Sequence, residues 1–360
     1  MNEYGKSDGL RYELQRRWNE WKKECRTDSE LGDYRKEFPP NKTDLLNQYW
    51  DFEQKMNKDW HPNVVLGAAV SGDKLLTDHG IAHVNSVITH AGEILANPKF
   101  LNGYEIYLLL VSVHFHDLGN ISGREAHEQK IADIIESMKE TVPFDSPEKE
   151  IISSIATAHG GFCDNDKDTI RNINLDEVYA GVYYRPKMLA AILRFADEIS
   201  DDFSRSDFTG VKIPHENQVF HEYSKALEPI SVVGETIKFH FRIPYELTQE
   251  KVGKGTGEVY LYDEILLRMA KCMRELEYCK KFADGVIRTT TADVIIDFLQ
   301  KGSSFRVKDR DYFRLTLHGY PDASHSKLDD YFDKNGMSNE SENPKELKFK
   351  DGNALQLAMK

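Results

Sequence analysis

Residues 107–120 read "YLLLVSVHFHDLGN", an apolar run that closes on His114, His116 and Asp117. From Tyr104 onward the stretch is apolar nearly all round, which predicts a central helix buried on every side rather than an amphipathic surface helix. Gly119 is the expected stop, a residue free to take the left-handed conformation that closes many helices. Each polar group at that end must find a partner or cost stability. The end of this helix is therefore where chemistry is expected.

The flanking segments are also helical. "HVNSVITHAGEILANP" places Val84, Val87, Ile88, Ala91 and Leu95 on one stripe of period 3.6. "REAHEQKIADIIESMKE" buries Ile131, Ile134, Ile135 and Met138, and "SPEKEIISSIATAHGGF" starts at Ser146-Pro147 and stops at Gly160 and Gly161. "RPKMLAAILRFADEISDD" follows as another buried helix. Upstream, Trp18, Trp21, Trp50 and Trp60 recur among charges around a break at "EFPPNKTD", which predicts two amphipathic helices packed by their aromatic faces.

Beyond about residue 203 the texture changes. "GVKIPHENQVFHEY", "ISVVGETIKFHFRIPY" and "GVIRTTTADVIIDFL" mix β-branched and aromatic residues with Gly turns and read as strands. "EVYLYDEILLRMAKCMRELEYCKKFADG" reads as a long amphipathic helix and "KVGKGTGEVY" as a flexible turn. The expected fold class is mainly α with a smaller C-terminal α+β subdomain. Its divisions are a helical extension over 1–65, a helical core over 66–205, an accessory α+β segment over 206–318 and a polar, flexible tail over 319–360.

The formal net charge of -13, from 60 acidic against 47 basic residues, argues against a general binder of nucleic-acid backbone. Cys25, Cys163, Cys272 and Cys279 form no CxxC pair and fit a reducing compartment. The charged N-terminus has no apolar core of signal-peptide length, and no stretch approaches the roughly 18–20 apolar residues that span a bilayer. A soluble cytoplasmic protein with no membrane partner is the expectation.

Seven candidate ligands lie on five separate predicted segments: His79 and His83, His116 and Asp117, His127, His159, and Asp197. Four-residue spacing puts His79 and His83 on one helix face. His116 and Asp117 diverge by about 100° in an ideal helix but lean the same way at a frayed last turn. Taken singly, each histidine is more readily a packed or surface residue than a ligand. Packing does not explain the ordered set, because buried charges need pairing. Asp197 in "AAILRFAD" is the clearest member, a carboxylate on a buried helix face. Imidazole and carboxylate donors together suit a divalent cation (Mn, Fe, Ni, Co, Zn or Mg), with transition metals favoured.

In the order His83, His116-Asp117, Asp197 the chain resembles the HD superfamily of metal-dependent phosphohydrolases over roughly residues 70–205. "HDLGN" followed by "GREAHE" is most similar to the HD hydrolases that accompany prokaryotic conflict and antiviral defence systems. The resemblance implies an HD-type helical bundle holding one or two cations through His83, His116, Asp117 and Asp197. It implies hydrolysis of a phosphate ester or anhydride of a nucleotide, either a triphosphate (dNTPase) or a phosphodiester (phosphodiesterase), by metal-activated water. Asp117 would bridge two ions, with His127 and His159 holding the second or acting as catalytic and substrate-binding groups. His79 would protonate the leaving oxygen, or His127 if that residue is not a ligand. Arg124, Arg185 and Lys187 are candidate phosphate contacts, with a helix cap for Arg124 and an exposed helix start for "RPK" as alternatives. A homo-oligomer is implied as well. The chain departs from related subfamilies in lacking the "HDxGHxPFxH" segment and the GYP signature, and "HGIAH" matches HNxxH only in its spaced histidines. The alternative function is a nucleotide sensor that binds without turnover.

Overall fold

The computed structural model of the 360-residue chain describes residues 9–24, 37–64, 79–123, 126–138, 142–163, 166–201, 213–317, 327–332 and 347–360. Two units form, one of Met1–Ser71, His79–Asp197 and Phe282–Ile287, the other of Gly72–Asp78, Glu198–Lys281 and Arg288–Lys360. The first is helical, with α1 (Gly9–Glu24), α2 (Leu45–Lys55), α3 (Ile81–Glu93), α4 (Gly103–Phe115), α5 (Ile131–Ser137), α6 (Ser146–Thr157) and α7 (Pro186–Glu198). A two-stranded hairpin, β1 (Glu177–Tyr179) and β2 (Val182–Tyr184), precedes α7. Ala180 and Gly181 both take positive φ between these strands, the backbone that a two-residue turn needs to match strand twist.

All thirteen residues of α4 are buried, and α1, α2, α3 and α6 pack around it. Its start is fixed by a reciprocal capping box, with Glu105 N–H donating to Asn102 Oδ1 at 2.8 Å and Asn102 N–H to Glu105 Oε2 at 2.9 Å. Phe38 packs against Trp18 (5.0 Å) and Trp21 (5.6 Å), and its ring lies over Gly103, where a Cβ would come within 2.1 Å. The N-terminal helices thus use Trp18 and Trp21 as expected, while Trp50 and Trp60 are only half-buried.

His114 points away from the end of α4 into a buried polar chain. Its Nδ1 lies 3.0 Å from His61 Nε2 and its Nε2 3.4 Å from Glu53 Oε1, which accepts from Arg11 Nε at 2.7 Å. Burial, then the neighbouring His114, press His61 down to about 2, and burial also lowers His114.

The second unit contains a four-stranded sheet in the order β3 (Ser231–Val233), β4 (Thr236–Ile243), β7 (Thr291–Leu299), β8 (Val307–Thr316). β4 and β7 run parallel, joined through the long helix Leu261–Ala283, and the outer pairs are antiparallel. One face is the apolar set Ile237, Phe239, Phe241, Ala292, Val294, Ile296, Phe313 and Leu315, all buried. The opposite face carries Arg314 on Asp293 (2.5 Å) and Arg310 on Asp297 (2.5 Å). This is the mainly helical protein with a small α+β part that the composition of segments implied.

Three local readings differ. "HENQVFHEY" is a helix over Gln218–Ala226, because Val219, Tyr223 and Ala226 recur at helical rather than strand period and are buried together. The Gly-rich turn at 251–260 is a short hairpin of β5 (Val252–Lys254) with β6 (Gly257–Val259). Within the expected polar tail, Gly352–Met359 is a helix capped by Asp351, with Leu355 and Met359 buried.

An unfolded histidine titrates near 6.5. Since folding depresses His61 to about 2, the folded state refuses a proton that the unfolded state accepts below pH 6.5. The contribution is fully present above pH 6.5 and is lost as pH falls, by about 2 kcal/mol between pH 6.5 and 5. His61→Gln should therefore lose less stability than the wild type between pH 7 and pH 5 in parallel urea titrations; identical losses would refute the assignment.

Candidate metal centre

α4 ends at Phe115. His116 keeps helical angles (φ -53°, ψ -42°), whereas Asp117 leaves them (φ -104°, ψ 5°) for a short 3-10 helix over Leu118–Ser122. This break lets two adjacent side chains reach one place, which a continuing helix would forbid. Gly119 sits inside the 3-10 turn and is not left-handed, contrary to its expected role as a helix stop. It is needed for close approach, since a Cβ there would stand 1.9 Å from the carbonyl oxygen of His127.

The carboxylate of Asp117 divides the site. Its Oδ2 accepts from His79 Nδ1 at 2.6 Å and lies 3.4 Å from Nε2 of both His83 and His116. Those two nitrogens are 3.3 Å apart and face Asp197 Oδ1 at 3.1 and 3.5 Å. On the other side, Asp117 Oδ1 accepts from Asn120 Nδ2 at 3.0 Å and faces Nε2 of His127 at 3.1 Å and of His159 at 3.7 Å. His83, His116, Asp117, His127 and His159 are all buried.

Proton positions follow from the partners on the far side of each ring. Nδ1 of His116 faces Val113 O and Nδ1 of His159 faces Ala156 O, both at 2.7 Å. A carbonyl only accepts, so each Nδ1 carries the hydrogen and Nε2 of the neutral ring is a lone pair. His127 Nδ1 similarly meets Glu128 Oε2 at 2.9 Å. Lone pairs aimed at carboxylates repel unless a proton or a cation lies between them. Burial opposes ionisation of Asp117, yet His79 and His116 hold it well below the usual carboxylate range. Burial likewise opposes Asp197, outweighed by His116 and His83. For His116 burial favours the neutral ring, but Asp117 and Asp197 push it up to about 10. A field that retains a proton at this point is also one that attracts a divalent cation.

Two donor sets result, His83, His116, Asp117 and Asp197 in one and Asp117, His127 and His159 in the other, each with donor atoms within 4.8 Å of one another. Neutral imidazole with carboxylate, with Nδ1 of His116, His127 and His159 anchored, is compatible with a divalent metal ion in both.

The family model described as HD-CE matches residues 74–269, more than half of the chain. The chain belongs to the HD-CE family. Among curated proteins and solved structures, no match is found. The HD-CE match contains every residue of both donor sets and runs past residue 205 into the long helix Leu261–Ala283.

In this HD-CE chain the geometry separates the expected site residues. His79, His83, His116, Asp117, His127, His159 and Asp197 meet, while Arg124 lies outside the described residues. Arg185 is not brought to the site. Its Nε and Nη2 each donate to Glu105 at 2.8 Å, and Glu105 stands in the first turn of α4, twelve residues or about 18 Å of helix before Asp117. Lys187 donates to Arg171 O at 3.0 Å and lies over Phe282, about 15 Å of α7 before Asp197. In the structure both cations are engaged in contacts within the fold, Arg185 with buried Glu105 and Lys187 with the carbonyl of Arg171. Asn120 and Glu128 were not assigned roles by sequence. Their signal was adjacency, a polar residue within three positions of a candidate ligand.

Arg185→Ala should leave Glu105 buried without its cation and cost about 3 kcal/mol in chemical denaturation. Unchanged stability would refute this role of Arg185.

Proposed function

We propose that this HD-CE protein is a divalent-metal-dependent phosphohydrolase that cleaves a phosphate ester or anhydride of a nucleotide, a triphosphate or a phosphodiester. The observation that carries the reading is Asp117, whose two oxygens face separate sets of inward-pointing imidazole nitrogens. His83, His116, Asp117 and Asp197 would hold one cation, and His127 and His159 would share Asp117 around a second. A bound divalent cation supplies Lewis-acid polarisation of a phosphate oxygen and lowers the pKa of water from about 16 toward about 7.

The protein's own part is positional. Asn120 holds one oxygen of Asp117 at 3.0 Å and His79 the other at 2.6 Å, so the shared carboxylate cannot rotate. Val113 and Ala156 carbonyls fix the rings of His116 and His159. His79 is held through Nδ1, and in this reading it acts as the imidazolium, protonated on both nitrogens beside Asp117, and gives its Nε2 proton to the leaving oxygen. The defence setting suggested by "HDLGN" and "GREAHE" belongs to the same proposal and would make a nucleotide pool or a signalling nucleotide the substrate.

Asp117→Ala should abolish both cation binding and hydrolysis, measured by elemental analysis and by product formation on a nucleotide panel with Mn, Co, Ni, Mg and Zn. Full activity in the variant would end the proposal. Cation and nucleotide binding by the wild type without any product would identify a sensor instead.

A further inference from the structure

The segment carrying His127 is held more tightly than a surface turn requires. Ala126, just before it, adopts the left-handed region (φ 46°, ψ 37°), a conformation that costs a non-glycine residue of order 1 kcal/mol and persists only where the surroundings enforce it. His127 itself opens a 3-10 turn over His127–Lys130. Its carbonyl lies so close to Gly119 that no side chain fits there. The next residue, Glu128, turns its carboxylate back on the ring, with Oε2 at 2.9 Å from His127 Nδ1. Both side chains are about nine-tenths shielded, at 9% and 12% exposure. The other carboxylate oxygen rests against Gly161, where a Cβ would approach Oε1 to 2.3 Å and where φ is +76°. Gly161 lies two residues after His159, the other imidazole of the second donor set.

Resting on the metal-dependent reading above, we propose that Glu128 is a positioning residue for the second cation. Its carboxylate accepts from Nδ1 of His127, which forces the proton onto that nitrogen and leaves Nε2 as the lone pair facing Asp117 Oδ1. Wedged against the backbone at Gly161, the same carboxylate sets the distance between the His127 turn and the loop that carries His159. Two glycines, Gly119 and Gly161, exist here to let that unit close. The ion pairs of the first donor set run among His83, His116, Asp117 and Asp197 and do not pass through Glu128.

The test uses the full chain loaded with Mn(II), comparing wild type, Glu128→Ala, Glu128→Gln, Gly161→Ala and Gly160→Ala. Wild type should bind two ions and show the electron paramagnetic resonance signature of a coupled pair bridged by Asp117. In Glu128→Ala the second ion should bind about 10- to 100-fold more weakly, the coupled signal should give way to that of isolated Mn(II), and the first affinity should stay within twofold. Glu128→Gln retains an oxygen that accepts from Nδ1 and should recover most of the loss. Gly161→Ala should reproduce Glu128→Ala, while Gly160→Ala, whose Cβ would meet nothing within 4 Å, should behave as wild type. Two ions bound equally well by wild type and Glu128→Ala would overturn the role of Glu128 and leave the metal-dependent reading standing. No ion bound by wild type would overturn both, and a single ion in wild type and variant alike would overturn the second position and Glu128 with it.

Discussion

An ionised carboxylate inside protein is the constraint on which this structure turns. Asp117 is 5% exposed, and taking such a group out of water costs several kcal/mol unless partners compensate. Two hydrogen bonds, from His79 and Asn120, offset part of that cost. Among the remaining neighbours, His116, His127 and His159 have their Nδ1 hydrogens committed elsewhere, so their Nε2 atoms add repulsion unless positive charge enters. The fully buried α4 makes this arrangement possible, because a helix buried on every face has no competing water to solvate its last residues. It acts as a post that delivers one charge to a dry place.

The ends of the surrounding helices strengthen the same electrostatic bias. His116 and Asp117 sit at the C-terminal end of α4, His159 just past that of α6, and Asp197 in the last turn of α7. Each helix C-terminus carries roughly half a negative charge on carbonyls without intrahelical partners, and two of those carbonyl regions anchor ligand rings directly, at Val113 and Ala156. An aspartate at a helix C-terminus is normally disfavoured. Finding two of them beside three converging helix ends means the fold concentrates negative potential where a proton on His116 or a divalent cation relieves it.

Much of this was legible because the sequence signals were local. The apolar run before His116-Asp117 announces a buried helix, and Asp197 in "AAILRFAD" announces a charge on an apolar helix, although its side chain keeps a quarter of its surface exposed rather than being fully buried. What could not be read depends on partners far along the chain. Arg185 looks free at a helix start, yet Glu105, eighty residues earlier, takes it bidentately. Gly119 looks like a helix stop, yet its reason is the carbonyl of His127 crossing over it. At 218–226 the β-branched and aromatic residues mimic a strand, and only burial on a 3.6-residue stripe decides for helix. The strand Val307–Thr316 carries a weak sequence signal because its outward positions are charged while its inward apolar ones, Phe313 and Leu315, come late in the segment.

The two donor sets are not equivalent, and their charges say in which order they would fill. The first combines two carboxylates, Asp117 and Asp197, with two imidazoles; the second has two imidazoles and only a share of Asp117. Attraction for a dication scales with the charge around it, so the first position would bind more tightly. Once it is filled, the dication withdraws part of the charge of the shared carboxylate and weakens the second position further. A site built this way needs some other means of holding its weaker half. The closely fitted turn of Ala126, His127 and Glu128 supplies it by removing the cost of ordering, since a ring already fixed in tautomer and direction loses little freedom when it is bound.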